Sequence, residues 1–317
     1  MLRAVTRRVL HLLGVVLIVS FVTMIMVDLI PGDPASVVLG EGATSEQLEQ
    51  LRQQWSLDDP LLLRYAEWLA DLVRGDLGTS VITNDPVLST ILERLPVTLE
   101  IAAIALVIAL ALGVPLGIWT ASRADTWVDR AGLLATSLMI SPPAFLTGLL
   151  LAYMFAVQLH LLPVTGWSPI SDGLSDNLRS ALLPGVALSI YETGVVARVL
   201  RSAMISTLGE DFVFAAHARG LPRTYVLLRH ALRPSLIPLF TVVGLILARL
   251  IGGTIIVEVL FALPGIGNLL ITSIQSRDFT VLQGVVVFVA LGYVLVNALV
   301  DVLYTVIDPR LRNRAAA

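Results

Sequence analysis

Six long apolar segments, separated by polar stretches, dominate the sequence. Each approaches or exceeds the roughly 20 residues that a helix needs to cross the hydrocarbon core of a bilayer. The apolar runs are continuous rather than alternating, which favours helices over the strands of a membrane barrel. We place the six predicted spans near residues 9–30, 96–119, 132–157, 182–203, 236–260 and 284–306.

The first long polar segment, residues 32–95, carries helix signals of its own. Thr44 and Gln47 have the spacing of a capping box, which marks the start of a helix. Gly75 follows an amphipathic run and is placed to end a second helix. These signals predict a small helical subdomain on the outer side of the membrane.

A second polar segment, residues 204–235, contains a short helix with clear boundaries. Thr207 and Glu210 have the spacing of a capping box, so they predict its start. Gly220 followed by Pro222 predicts its end. The sequence therefore predicts a short helix in an Arg-rich loop between two spans.

One face of this short helix combines an aromatic side chain, two small residues and a charge. Phe212, Ala215, Ala216 and Arg219 lie at helical spacing and share that face. A soluble partner could approach such a face closely. The alternative is an interfacial helix that packs against its own bundle, because small residues also serve helix packing in membranes.

The composition identifies an integral membrane protein, with 56% hydrophobic residues, 14% charged residues and a mean hydropathy of +0.86. All 21 basic residues are Arg, so a phosphate-binding loop of the form GxxxxGK[ST] cannot occur. The absence of Cys excludes disulfides and thiolate sites, and the four His lack metal-ligand spacing. No catalytic or metal site is predicted, and any ATP must bind another subunit.

The distribution of Arg gives the orientation of the chain. Most of the 21 Arg fall on one side of the membrane if the N-terminus lies in the cytoplasm. Cytoplasmic loops carry an excess of basic residues, so this arrangement is favoured. Both termini are therefore predicted to be cytoplasmic.

Ionisable side chains within the spans are candidates for function, because a charge is costly in hydrocarbon. Glu192 and Arg249 lie deepest, and they could meet across the bundle or face a translocation pathway. Glu258 lies near the outer end of the fifth span. The adjacent Pro142 and Pro143 predict a kink or a re-entrant irregularity in the third span.

The short helix and its flanks resemble the EAA loop of binding-protein-dependent ABC importer permeases. The match is Phe214-Ala215-Ala216-x-x-x-Gly220, with Phe at the first position in place of Glu. In that family the loop forms a coupling helix that sits in a groove of the ATPase subunit. The resemblance implies that the ATPase-coupling residues are Glu210, Asp211, Phe212, Phe214, Ala215, Ala216, Arg219, Gly220 and Leu221.

Further matches to the peptide-transporting branch run along nearly the whole chain, in order and at family-like spacing. They are Leu29-Ile30-Pro31-Gly32-Asp33-Pro34, Gly75-Asp76-Leu77-Gly78-x-Ser80, Pro96-Val97-Thr98-Leu99, Glu258-x-x-Phe261-x-x-Pro264-Gly265-Ile266-Gly267 and Asp308-Pro309-Arg310. Together they resemble the first permease subunit of dipeptide, oligopeptide and nickel importers. By this resemblance, Glu258 belongs to a loop that helps to shape the external gate.

The resemblance implies an all-α type I importer permease with six transmembrane helices. Its expected parts are an N-terminal anchor helix at 1–31, an external helical subdomain at 32–95, a permease core at 96–309 with a coupling loop at 204–235, and a cytoplasmic tail at 310–317. It also implies that this chain holds no cofactor, since two ABC ATPase subunits bind ATP and Mg.

The same resemblance implies the partners and the location. The expected partners are a second homologous permease, an external substrate-binding protein, a peptide substrate and the lipid bilayer, with no nucleic acid. The location is the bacterial plasma (inner) membrane, which the chain crosses several times. The implied function is ATP-driven import of dipeptides or oligopeptides.

Other functions remain open at this stage. Import of nickel or another small solute fits the same resemblance, because the binding protein largely sets specificity. An ion-coupled secondary transporter would use membrane carboxylates, although the hydropathy shows no inverted repeats of broken helices. An intramembrane hydrolase would need two acids on one helix face deep in the membrane, and the sequence offers no such pair.

Overall fold

A computed structural model of the chain describes residues 2–29, 44–54 and 58–307. The described residues are predominantly helical. The helices are α1 (Leu2–Leu29), α2 (Ser45–Gln54), α3 (Leu61–Val73), α4 (Val87–Ala121), α5 (Trp127–Ile140), α6 (Ala144–Gln158), α7 (Leu174–Leu208), α8 (Asp211–Ala218), α9 (Arg223–Leu260), α10 (Ile266–Gln275) and α11 (Phe279–Ile307). The last seven residues of α6 and a stretch of α9, Val226–Ala231, are π-helical.

Four of these helices, α4, α7, α9 and α11, are long and apolar enough to cross a membrane. The bent pair of α5 and α6 gives a fifth span if it is counted as one. Helix α1 has 28 residues and overlaps the first predicted span, 9–30, as far as Leu29. The other five predicted spans fall on α4, α5 with α6, α7, α9 and α11.

The helices α4 and α7 begin well before the predicted spans. The extra turns at the start of α4 are helical because Val87 and Ile91 are fully buried. Hydropathy alone does not show this burial, since these turns also carry polar residues. The apolar runs are therefore shorter than the helices that contain them.

The chain divides into two compact units. One comprises residues 1–96 and 264–294, with a core of Leu77, Val87, Ile91, Ile266, Leu269, Val281 and Val285. The other comprises residues 97–263 and 295–317. The predicted domain boundaries stay a prediction.

Helix α7 is the central element of the second unit, where it packs against α5, α6 and α9. Glycines permit this close approach. A Cβ on Gly194 would lie 2.8 Å from Ile140 Cγ1 and 3.1 Å from the Thr136 carbonyl oxygen. Small residues at helix interfaces allow backbones to pack tightly in membranes.

The irregularity predicted at Pro142 and Pro143 is confirmed. Helices α5 and α6 meet at an angle of 95° across these two residues. Pro143 is extended, with φ −62° and ψ 150°, and α6 starts directly after it. The missing N–H groups and the restricted backbone of proline account for the break.

The helix signals of the outer segment are also confirmed. Thr44 N donates to Gln47 Oε1 at 3.0 Å, and Gln47 N donates to Thr44 Oγ1 at 3.3 Å, which completes the capping box. Gly75, at φ +83°, ends α3. The motif residues Ile30–Pro34 and Asp308–Arg310, the predicted tail at 310–317, and residues 35–43 and 55–57 lie outside the described residues.

Candidate functional site

The short helix of the polar loop, α8, is terminated by a glycine in the left-handed region. Gly220 has φ +76°, and its N–H donates to the His217 carbonyl at 2.9 Å. Leu221 N–H donates to the Ala216 carbonyl at 3.4 Å, which gives the two bonds of a Schellman motif. The predicted helix end is therefore confirmed, and it fixes the direction in which the chain leaves α8.

The capping box predicted for the start of α8 is wrong. Helix α7 continues through Leu208, so Thr207 is still helical, and its Oγ1 donates to the Ala203 carbonyl at 2.9 Å. Glu210 is the N-cap residue of α8, but its side chain makes no capping bond. A threonine hydroxyl within a helix can bond to the carbonyl four residues earlier, and here this bond replaces the cap.

The predicted face of α8 is divided between the protein interior and solvent. Ala216 is buried together with Val213, against Val226 and Leu221 of the same chain. Its side chain is therefore not available to a partner, contrary to the prediction. The exposed residues of the predicted coupling set are Glu210, Asp211, Phe212, Phe214, Ala215, Arg219 and Gly220.

This exposed set contains two large aromatic side chains. Phe214 is 61% exposed and Phe212 is 47% exposed. Helix α8 is thus attached to the chain through its aliphatic side and presents aromatic rings and a cation on the rest of its surface. Exposed apolar groups rimmed by polar ones are typical of an interaction site.

Two further contacts attach this loop to the ends of the spans. Arg223, at the start of α9, donates from Nη2 to the Ser122 carbonyl in the turn after α4. Thr207 Oγ1 lies 3.2 Å from Ser235 Oγ, which joins the end of α7 to α9. These contacts join the segments that flank α8 to α7, α9 and the turn between α4 and α5.

An ion pair that the sequence analysis missed lies near the same end of the bundle. Arg201 of α7 holds Asp129 of α5 with two bonds, Nε to Oδ1 at 2.5 Å and Nη2 to Oδ2 at 2.6 Å. Asp125 N–H also donates to Asp129 Oδ2 at 3.1 Å. The partners are 72 residues apart, and no local pattern relates them.

The second ion pair joins Glu192 of α7 to Arg249 of α9. Arg249 Nε donates to Oε1 at 3.1 Å, and Nη2 donates to Oε2 at 2.9 Å. The Arg249 guanidinium also lies 5.2 Å from the ring centre of Tyr191. The prediction that Glu192 and Arg249 could meet across the bundle is confirmed, while their role in a pathway stays a prediction.

Glu258 lies in the last turn of α9 and is completely buried. Thr98 Oγ1 donates to Glu258 Oε1 at 2.7 Å. The two residues belong to separate sequence motifs, and the spacing of these motifs does not predict that they touch. Helix α4 and the C-terminal end of α9 are therefore joined by a buried polar contact.

The motif Gly75-Asp76-Leu77-Gly78-x-Ser80 forms a turn in the first unit. Asp76 Oδ1 accepts from Gly78 N–H at 2.8 Å, and Gly78 has φ +82°. A Cβ on Gly78 would lie 2.8 Å from Thr280 Cγ2, so only glycine fits without displacement. Ser80 Oγ donates to Asp278 Oδ2, at the start of α11.

The helical bundle with a broken third span and a short exposed loop helix defines a permease of the type I ABC importer class. Residues 113–313 match the family model described as "binding-protein-dependent transport system inner membrane component", and residues 1–102 match the model of the corresponding N-terminal region. The chain belongs to this family. It is a multi-pass inner-membrane protein that works with an ATPase and a substrate-binding protein.

Known proteins resemble the chain over nearly its whole length. A Brucella abortus protein named as a peptide transport system permease is 38% identical over 97% of this chain and 98% of its own length. The D,D-dipeptide transport system permease protein DdpB of Escherichia coli is 40% identical over 94% of this chain and 95% of its own length.

A solved structure supports the fold. It is described as an inward-facing conformation of the MetNI methionine ABC transporter, and its matching chain has a TM-score of 0.58 at 14% identity. The match covers 69% of this chain and 96% of that one. The predicted fold class, an all-α type I importer permease, is confirmed.

Proposed function

We propose that this chain imports dipeptides or oligopeptides as one of two permease subunits of an ABC importer. The observation that carries the proposal is the similarity, along almost the whole chain, to permeases named for peptide transport. The complete assembly contains a second homologous permease, two ABC ATPases and an external substrate-binding protein. ATP and Mg bind to the ATPases, where hydrolysis takes place, and this chain carries no catalytic site.

Helix α8 is the coupling helix of this proposal. Its exposed residues, including Phe212, Phe214 and Arg219, dock into the ATPase, while its buried side fastens it to α9 through Val213 and Val226. Closure of the two ATPases moves α8 as a rigid body. The contacts of Thr207 and Arg223 pass this movement to the spans.

The spans respond by opening the pathway to one side of the membrane and then to the other. This chain forms half of that pathway. Glu192, Arg249, Glu258, Pro142 and Pro143 are the proposed pathway or gate residues. The break between α5 and α6 and the buried contact of Glu258 with Thr98 support this choice. Both termini lie in the cytoplasm, as the distribution of Arg indicates.

Uptake by a reconstituted assembly tests the substrate. The two permeases are placed in liposomes with the ATPases, and the binding protein is added outside. We expect ATP-dependent accumulation of a labelled dipeptide or tripeptide, with no accumulation when a hydrolysis-deficient ATPase is used. Accumulation of nickel without peptide, or uptake that follows an ion gradient without ATP, would overturn the proposal.

Copurification tests the docking of α8. We expect Phe214→Ala to reduce the amount of ATPase that copurifies with the tagged chain, because Phe214 is largely exposed and its removal leaves the buried side of α8 intact. Leu62→Ala is the matched control, since Leu62 is 71% exposed but lies in the outer segment. Equal recovery of the ATPase with both variants would refute the docking role.

A further inference from the structure

The guanidinium of Arg249 has N–H donors that do not bind Glu192. Arginine carries five N–H donors, and two of them bind Glu192. Within the part of the chain that the structure describes, no other protein atom accepts a hydrogen bond from this side chain. The Arg249 side chain is 44% exposed, whereas the Glu192 side chain is 5% exposed. The pair is therefore closed on the carboxylate side and open on the guanidinium side.

Arg249 lies far from the end of its helix, on an exposed face. Arg249 is eleven residues from the end of α9, a distance of about 16 Å along the helix. It stands on an exposed face of α9 that also contains Thr241, Leu245, Gly252 and Ile256. A Cβ added at Gly252 or Gly253 would meet nothing within 4 Å.

A cation at this depth cannot face lipid without a large cost, so this face of α9 borders water or another protein. Water suits the open side of Arg249, because the side chain is 44% exposed and its remaining N–H donors can bind water. The guanidinium carbon of Arg249 lies over the Tyr191 ring, 5.2 Å from its centre, where the ring face attracts the cation. If this face borders water, Arg249 presents its remaining N–H donors to an aqueous path.

We propose that Arg249 binds the C-terminal carboxylate of the peptide during its passage, with Glu192 and Tyr191 as positioning residues. This inference rests on the proposed import of peptides. A guanidinium suits a carboxylate because its paired N–H groups match the two oxygens. Every unmodified peptide carries this carboxylate, whatever its sequence. Glu192 offsets part of the attraction, so binding stays weak enough for release.

An engineered thiol next to Arg249 tests this site directly. The chain has no native Cys, and Gly252→Cys places a thiol in open space one turn away. The assembled importer, with ATPases but without the binding protein, is treated with a membrane-impermeant alkylating reagent, and labelling of this chain is followed by mass spectrometry. We expect alkylation, and slower alkylation in the presence of a dipeptide.

The C-terminal amide of the same dipeptide is the matched probe. We expect the acid to protect the thiol at a roughly tenfold lower concentration than the amide, as charge-assisted hydrogen bonds would give. A thiol that the aqueous reagent never reaches, with or without ATP, would contradict the aqueous path. Equal protection by acid and amide would contradict the carboxylate site.

Variants of the pair separate binding from a purely structural role. Arg249→Gln should abolish the difference between acid and amide, whereas Glu192→Gln should increase it, since the guanidinium then lacks its counter-charge. The charge-reversed double variant Glu192→Arg/Arg249→Glu keeps an ion pair but should lose the preference for the acid. If the reversed pair keeps that preference, a guanidinium at position 249 is not required and the proposal falls.

The uptake assay distinguishes a failure of this inference from a failure of the proposed function. An assembly that imports peptides but shows no protection of the thiol leaves peptide import intact and refutes the Arg249 site. An assembly that imports another solute and no peptide refutes both. Peptide uptake by the unaltered assembly is therefore measured first.

Discussion

Helix α7 makes two ion pairs with the same arrangement of bonds, and these pairs differ in how far the protein encloses them. In both, a buried carboxylate receives two N–H bonds from one arginine, Asp129 from Arg201 and Glu192 from Arg249. The Arg201 side chain is only 20% exposed, and the backbone of Asp125 adds a third bond to Asp129. Arg249 is more than twice as exposed. The same residue types thus form a closed structural contact in one place and an open one in the other.

The largest effect should follow from breaking the closed pair. Arg201→Ala leaves the Asp129 carboxylate buried without its counter-charge, which costs about 3–5 kcal/mol in comparable buried pairs. We expect a large fall in the melting temperature of the purified chain in detergent, together with a fall in its abundance in membranes. Both are measured at equal expression.

Arg130→Ala is the control for this change. Arg130 follows Asp129 in the sequence, but its side chain is exposed, so its removal should change the melting temperature very little. If Arg201→Ala and Arg130→Ala melt at the same temperature, the closed pair does not stabilise the chain.

The sequence predicted Glu192 with Arg249 but not Asp129 with Arg201. Glu192 and Arg249 stand within long apolar runs, where a charge without a partner is costly. Their position in these runs therefore predicted that the two could meet. Asp129 and Arg201 lie near span ends, where a charge can also reach water. Their pairing depends on the packing of α5 on α7, which local patterns do not encode.

The loop helix shows the same division between local and long-range information. Its end at Gly220 was predictable, because a left-handed glycine cap is a local signal. Its start was predicted wrongly, since α7 continues through Leu208 and therefore includes Thr207. The burial of Ala216 depends on Val226 in the following helix and could not be deduced from the spacing of residues on α8.

Reversing the charges within each pair should lower the melting temperature by different amounts. In Asp129→Arg/Arg201→Asp, the N–H of Asp125 would face a guanidinium instead of a carboxylate, and the lost bond to a charged group costs about 1.5–3 kcal/mol. In the reversed Glu192 and Arg249 pair, no described backbone bond to the carboxylate is lost. We therefore expect the lower melting temperature for the reversed Asp129 pair. The opposite order would show that Asp125 contributes nothing.

A smaller loss of thermal stability should follow from a substitution at Gly194, which lies between Glu192 and Arg201 in the sequence of α7. Gly194 of α7 packs on α5, and a methyl group there would press on Thr136 and Met139. Overpacking of this kind costs about 1–3 kcal/mol. We expect Gly194→Ala to lower the melting temperature, because it pushes α5, and Asp129 with it, away from α7.

Gly253→Ala provides the control for this glycine. It lies within α9, and an added methyl group would meet nothing within 4 Å. Alanine is the better helix former, by about 0.5–1 kcal/mol, so this variant should melt at the same temperature or slightly higher. Equal destabilisation by both alanines would mean that the contact between α5 and α7 is not tight at Gly194.

The smallest effect concerns Tyr191, whose ring lies beside the guanidinium of the open pair. The interaction of a cation with an aromatic face contributes about 0.5–2 kcal/mol, depending on how far the cation is desolvated. Tyr191→Leu should therefore lower the melting temperature only slightly, whereas Tyr191→Phe, which keeps the ring, should leave it unchanged. The proposed orientation of the guanidinium predicts a second result, namely that Tyr191→Leu narrows the preference for peptide acid over amide more than Tyr191→Phe does. If Leu and Phe give the same preference, the ring does not orient Arg249.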